Sequence, residues 1–197
     1  MNGNGIQIKR MADYDRDVCY EAANVFVEGY YKDLSFFTKD KEKLITTFMD
    51  AFCPDVFYLA ELDGIIVGIL ACATNRQRAM HIDKTSMKKG LGFVMGNFAY
   101  SMLNKEFNTT LTYPDDTTYI ECVATSEAAR GKGVCTGLFR YVMKELPYRQ
   151  FILEVADTNQ TAYRLYNKLG FSEFERKKEK YSKLKGFNQR IYMNWFK

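Results

Sequence analysis

The stretch TSEAARGKGVCTGLFRYVMKEL, Thr125 to Leu146, sets a basic, glycine-punctuated turn directly in front of an apolar helical pattern. Val134, Leu138, Tyr141 and Val142 share one face of a helix expected from Gly133 to Leu146. The mouth of such a helix offers unpaired backbone N–H groups and the positive end of a dipole, which suit a phosphate. The glycines let a ligand approach the backbone, and Arg130 and Lys132 add charge. A plain tight turn is the competing reading. Two nucleotide motifs are excluded: GxxxxGK followed by Ser or Thr is absent, and GxGxxG fails where Thr136 holds the third glycine's place. The turn also lies too far along the chain to leave room for a full Rossmann sheet.

Working outward, TYIECVAT before the turn reads as a strand, and VFYLAELDGIIVGILACAT as a hairpin closed by Asp63-Gly64, a favoured two-residue turn. IQIKR is a short first strand. Val18, Ala22, Val25, Phe26 and Tyr30, then Leu44, Phe48 and Ala51, recur at helical spacing. After the turn, RQFILEVA is nearly continuously apolar, as a buried parallel strand should be. A helix follows, capped by Asn159 and stopped at Gly170, and then FSEFERKKEKY and QRIYMNWFK close the chain as two strands. The order is β-α-α-β-β-(insert)-β-α-β-α-β-β. It describes an α/β (α+β) domain spanning 1–197, with one mixed β-sheet flanked by helices and an insert at about 75–112. In the insert, Leu91, Val94, Met95, Phe98 and Met102 suggest an amphipathic helix covering the sheet rather than a membrane or partner surface.

Composition bounds the function. The 197 residues are 47% hydrophobic and 26% charged, as in an ordinary soluble protein large enough to bury a full core. No apolar run approaches the ~20 residues of a membrane span, and the N-terminal stretch lacks a signal peptide's apolar segment. Cys19, Cys53, Cys72, Cys122 and Cys135 are scattered, which suits reduced thiols in a cytoplasmic protein. With His81 as the single histidine, no metal site is expected. The net charge of +4 divides into +4 over 75–112, +5 over 175–190 and −5 elsewhere. Solvated lysines explain both basic stretches, and without a recognised fold signature nucleic acid is not an expected partner.

RGKGVC, Arg130 to Cys135, and NQTAYRLYNKLGF, Asn159 to Phe171, together with the element order, resemble the GNAT superfamily of N-acetyltransferases. That family's signature is Arg/Gln-x-x-Gly-x-Gly/Ala; Arg130 and Gly133 match it, and Cys135 replaces the usual small residue. The resemblance spans the chain apart from the insert. It implies acetyl-CoA as co-substrate, with the N–H groups of Arg130, Gly131, Lys132, Gly133, Val134, Cys135 and Thr136 on its pyrophosphate and the pantetheine arm along the strand edge at Val123 and Thr125. It also implies transfer of the acetyl group to a primary amine by direct attack in a ternary complex. The alternative is an acyl-CoA-binding module that transfers nothing.

Such chemistry needs a base, alignment of the reactants, oxyanion stabilisation and an acid for the leaving thiolate. Period-two alternation puts Glu121, Val123 and Thr125 on one face of their strand. By resemblance Glu121 is the base, with Tyr119 behind it, and Tyr166, four residues before Gly170, is the acid. Each keeps a plain reading as well: a salt-bridged glutamate, a core tyrosine. Asn159 either contacts the CoA arm or only caps its helix, and Glu154 either lines the acceptor side or sits at the rim. A main-chain N–H at Val123 or Thr125 would serve the oxyanion. The acceptor's identity and the oligomeric state, a homodimer included, are left open by the sequence.

Overall fold

The computed structural model describes residues 5–180 and 182–197, and only the backbone of Lys183 and Leu184. Tyr181, the last residue of one expected strand, and the Lys183 side chain of the basic stretch lie outside that description. One sheet runs in the order β1-β2-β3-β4-β5-β7-β6. Strands β1 (Gln7–Arg10), β2 (Phe57–Leu62), β3 (Ile65–Ala73) and β4 (Thr117–Thr125) pair antiparallel in turn. Strand β5 (Gln150–Ala156) joins β4 in parallel, and β7 (Gln189–Phe196) and β6 (Ser172–Lys178) follow antiparallel. The hairpin between β2 and β3 turns at Asp63 (φ 53°) and Gly64 (φ 79°), two left-handed residues as a type I′ turn requires.

Strand alternation divides the apolar side chains between two cores. Phe57, Leu59 and Ile69 face helices α1 (Cys19–Leu34) and α2 (Lys41–Phe48), among Phe26, Leu44 and Phe48. Leu70, Cys72, Ile120, Phe151 and Leu153 face the other side, where α5 (Val134–Glu145) presents Val134, Leu138 and Val142 at four-residue spacing. Burial of a side chain such as Phe139 or Phe151, both 0% exposed, contributes roughly 1.5–3 kcal/mol. The first four strands, the β4–α5–β5 crossover, the next helix α6 (Gln160–Lys168) and the final pair match the order read from sequence.

The insert departs from expectation. It folds as two helices, α3 (Lys84–Leu91) and α4 (Phe93–Phe107), broken at Gly92 (φ 84°). A Cβ on Gly96 would come within 2.5 Å of the Met87 carbonyl, so that glycine is where the two backbones meet. Val94 and Phe98 sit two positions to either side of it, about half a turn away, and so face outward at 80% and 41% exposure. The helix therefore seats Ala99, Met95, Met102 and Leu103 instead of the whole expected stripe. The β6–β7 connection also carries a short helix, α7 (Ser182–Lys185), that the sequence pattern did not signal.

Candidate active site

Strands β4 and β5 pair from Thr117/Gln150 to Ile120/Leu153 and then part, though both continue. A bulge accompanies the parting. On β4, Cys122 and Val123 together stand opposite one residue of β3, between the pairs Ala71/Glu121 and Ile69/Ala124, and Cys122 has φ 51°. The Ser126 N–H bonds the Val67 carbonyl at 2.9 Å. Alternation from there turns the main-chain N–H and C=O of Thr125 and Val123 away from β3, into the gap beside β5. The Tyr30 hydroxyl reaches in from α1 to donate to the Val123 carbonyl at 3.3 Å. Helix α1 comes this close because Gly29 carries no side chain: a Cβ there would lie 2.6 Å from that of Ala124.

The bulge corrects the expected face assignment. Glu121 is paired with Ala71 and shares the α1 side with Cys122 and Ala124, whereas Val123 packs on the α5 side with Ile120. The extra residue shifts the alternation by one, so Glu121 and Val123 lie on opposite faces.

At the head of α5, Gly131 (φ 77°) and Gly133 (φ 83°) are left-handed, and nothing lies within 4 Å of where either Cβ would stand. These glycines thus serve the backbone path, and the surface above them is open. The Arg130 and Lys132 N–H groups, expected on the pyrophosphate, instead bond the Glu127 and Ala129 carbonyls, each at 3.3 Å. Among the described residues those of Gly131, Gly133, Val134, Cys135 and Thr136 reach no backbone acceptor; the helical ladder starts with Gly137 N–H on the Gly133 carbonyl at 2.8 Å. The Val134 side chain is buried against Gly68. Arg130 is exposed and stands 3.4 Å from Glu127, and burial pushes the Cys135 thiol up to about 12. A cleft of about 270 Å³ leads from this turn, lined by Arg130, Cys135, Val123, Thr125, Asn159 and Tyr166.

Asn159 caps α6, its Oδ1 accepting from the Ala162 N–H at 3.1 Å. Tyr166 is 7% exposed, its ring 5.2 Å from that of Phe139 and 6.2 Å from that of Phe171. Burial holds its phenol well above the ordinary value, and no hydrogen bond to its hydroxyl is seen among the described residues. The aromatic packing of a core tyrosine and a hydroxyl at the cleft are both present in this one side chain.

On the other side of β4 lies a cavity of about 910 Å³ that includes Glu121, Tyr119 and Glu154. Glu121 is buried at 8% exposure and forms an ion pair with Arg78 of the insert, whose Nε lies 3.1 Å from Oε1. The Ala79 N–H donates to its other oxygen at 3.3 Å. Burial raises the Glu121 pKa, and Arg78 opposes the rise. Arg78 also donates to the carbonyls of Glu106, at 2.7 Å, and Thr109, tying the end of α4 to β4. Glu154 is paired with Arg190, and its charge helps to raise the phenols of Tyr119 and Tyr192 beside it. Tyr119 is buried, its phenol raised chiefly by desolvation. His81 is exposed and outside both cavities. Arg78, Gly29 and Tyr30 went unnoticed in the sequence: each acts across 43 to 95 positions, and no local motif marks them.

Among the described residues no cluster of His, Cys, Asp and Glu could hold a metal ion, and no helix is long and apolar enough to cross a membrane. The basic residues of 175–190 are largely engaged, Arg176 with Glu173, Lys177 with Glu175, and Arg190 and Lys185 with Glu106 and Glu179.

The model of the Acetyltransferase (GNAT) family matches residues 21–171. Among solved structures, an N-acetyltransferase from Staphylococcus aureus Mu50 superposes with TM-score 0.60 at 18% identity, over 96% of this chain and 100% of that one. A GNAT-family acetyltransferase from Bacillus cereus ATCC 10987 gives 0.58 at 12% identity, over 98% and 97%. A GNAT-family acetyltransferase from Elizabethkingia anophelis with acetyl-CoA bound gives 0.52 at 16%, over 98% and 99%. At these identities the likeness is one of fold. No curated protein matches the chain.

Proposed function

Because the chain belongs to the acetyltransferase (GNAT) family and so transfers acetyl groups from acetyl-CoA, we propose that it acetylates a primary amine by direct attack in a ternary complex. One observation carries this reading: the cleft at the glycine turn and the large cavity meet, with Gly29, Val123, Asn159 and Tyr166 lining both. Two reactants entering from opposite sides of β4 would touch at Val123. Held in line there, they need no covalent enzyme intermediate.

The pyrophosphate of acetyl-CoA takes the N–H groups of Gly131, Gly133, Val134, Cys135 and Thr136, with Arg130 and Lys132 supplying charge. The pantetheine arm runs along Val123 and Thr125, whose polar main-chain groups point into the gap. Asn159 spends its oxygen on the helix cap, leaving its amide N–H to the arm. The amine attacks the thioester carbon, and its proton passes to Glu121 directly or through a water. The Val123 N–H meets the oxyanion as the carbon becomes tetrahedral. When the C–S bond breaks, the thiolate takes the proton of Tyr166, whose high pKa keeps that proton in place until then. The raised pKa of Glu121 brings its basicity closer to the working pH. The unpaired cysteines support a reducing, cytoplasmic setting.

Thiol release from acetyl-CoA with a panel of amines tests the transfer, and Glu121→Gln tests the base. In the variant kcat/KM should be low near neutral pH and recover partly at high pH, where the amine arrives deprotonated. Uniform loss at every pH would remove the base role and leave a positioning one.

A further inference from the structure

Resting on the transfer reading above, we propose that the acceptor is an aromatic monoamine, a primary amine on an arylalkyl body with no second cationic group, and that Lys185 and Arg190 set this choice by neutralising the cavity's carboxylates. The size and lining come first. About 910 Å³ is far more than an ammonium group needs and lies at the upper end of ordinary ligand sites. Beyond Glu121 the walls are formed by Phe37, Met102, Phe107, Leu111 and Tyr113, which offer ring faces and aliphatic edges to an apolar body.

Charge then separates a monoamine from a polyamine. A site for a polycation must present unneutralised carboxylates to the second and third ammonium groups. Four carboxylates line this cavity, Asp33, Glu106, Glu121 and Glu154. Glu121 faces Arg78, and Glu154 faces Arg190. Glu106 lies 3.4 Å from Lys185 and 3.7 Å from Arg190. Asp33 stands in the field of Lys32 and Lys185. Six cationic side chains line the same cavity, adding Lys39 and Lys177 to those just named; Glu175, paired with Lys177, and Glu179, paired with Lys185 and Arg190, stand just behind that lining and bring six carboxylates against the six cations. A spermidine-like chain or a lysine-rich peptide would find no unpaired carboxylate there for its further charges, whereas a single reacting amine that gives up its proton to Glu121 on attack needs none.

The test compares phenethylamine and tryptamine with spermidine and a lysine-rich peptide in the thiol-release assay, using the full chain. The arylalkylamines are expected to exceed spermidine in kcat/KM by at least tenfold. Lys185→Gln leaves Glu106 with Arg190 alone, a cation it shares with Glu154 and Glu179, and its removal of one charge should shift the arylalkylamine-to-spermidine ratio toward spermidine by about fivefold, the scale of one partly solvated ion pair. Spermidine or the peptide turned over as well as the arylalkylamines overturns the proposal, as does a Lys185→Gln protein with an unchanged ratio. Thiol release with none of the amines, in a protein that binds acetyl-CoA, overturns the transfer reading itself and this proposal with it.

Discussion

Arg78→Gln removes the guanidinium that faces Glu121 and leaves the carboxylate where it was. The two side chains are only 14% and 6% exposed, so the loss is that of a buried pair, for which removing one partner costs about 3–5 kcal/mol. Its hydrogen bonds to the Glu106 and Thr109 carbonyls go as well, and the Ala79 N–H at 3.3 Å is then the donor left to the carboxylate. The pH dependence follows from the direction of the shift. Burial holds the Glu121 pKa above its unfolded value, with Arg78 pulling the other way; without Arg78 the pKa rises further. A carboxyl with a raised folded pKa contributes stability that is full below its unfolded pKa and is lost as pH rises through the folded one. The variant's deficit should therefore be smallest near pH 4 and grow toward neutrality, at up to about 1.4 kcal/mol per pH unit. Urea unfolding of wild type and variant across that range measures it. Arg78→Gln/Glu121→Gln lacks both charges, so its deficit should be nearly independent of pH and smaller than that of Arg78→Gln at pH 7. A deficit for Arg78→Gln that is equal at every pH would refute the view of Glu121 as a buried carboxylate held ionised by Arg78.

Three further outcomes are expected. Gly133→Asp has open space around its Cβ but sits at φ 83°, which an aspartate adopts at a cost of roughly 1–2 kcal/mol. It should fold with that loss of stability while losing acetyl-CoA affinity by tenfold or more in calorimetry, through charge set against phosphate; unchanged affinity in a folded protein would move the pyrophosphate elsewhere. Tyr166→Phe keeps the ring contacts with Phe139 and Phe171 and should lower kcat roughly 10²-fold with the KM for acetyl-CoA little changed; wild-type turnover would leave Tyr166 a core residue. Gly29→Val forces α1 off Ala124, where even a bare Cβ would come to 2.6 Å, and should cost roughly 1–3 kcal/mol in denaturant unfolding; a neutral result would mean that α1 does not lie against β4 as described.

What the sequence revealed, and what it hid, divides by range. The turn at Arg130–Thr136, the Asn159 cap and the Asp63-Gly64 hairpin are decided within a few residues, where backbone conformation and side-chain type coincide, and they stand where the pattern put them. The parity of β4 is another matter. Nothing in TYIECVAT announces that Cys122 will take φ 51°, and the contacts that flank the bulge come from outside the strand: Gly29 lets α1 close on Ala124, and the Tyr30 hydroxyl donates to the Val123 carbonyl. A strand read alone alternates; one bulged residue reverses every assignment beyond it. That reversal has a chemical consequence. With strict alternation Glu121 and Val123 would crowd one side of the sheet, and on the proposed mechanism base and thioester would be approached from a single direction. With the bulge, Glu121 faces the large cavity while the Val123 side chain faces the α5 side, which under the proposed mechanism lets the amine and the acetyl-CoA arm approach β4 from opposite faces and meet at one main-chain group. Arg78 completes the arrangement from 43 positions away, a distance over which only the folded sheet can bring a charge to its partner.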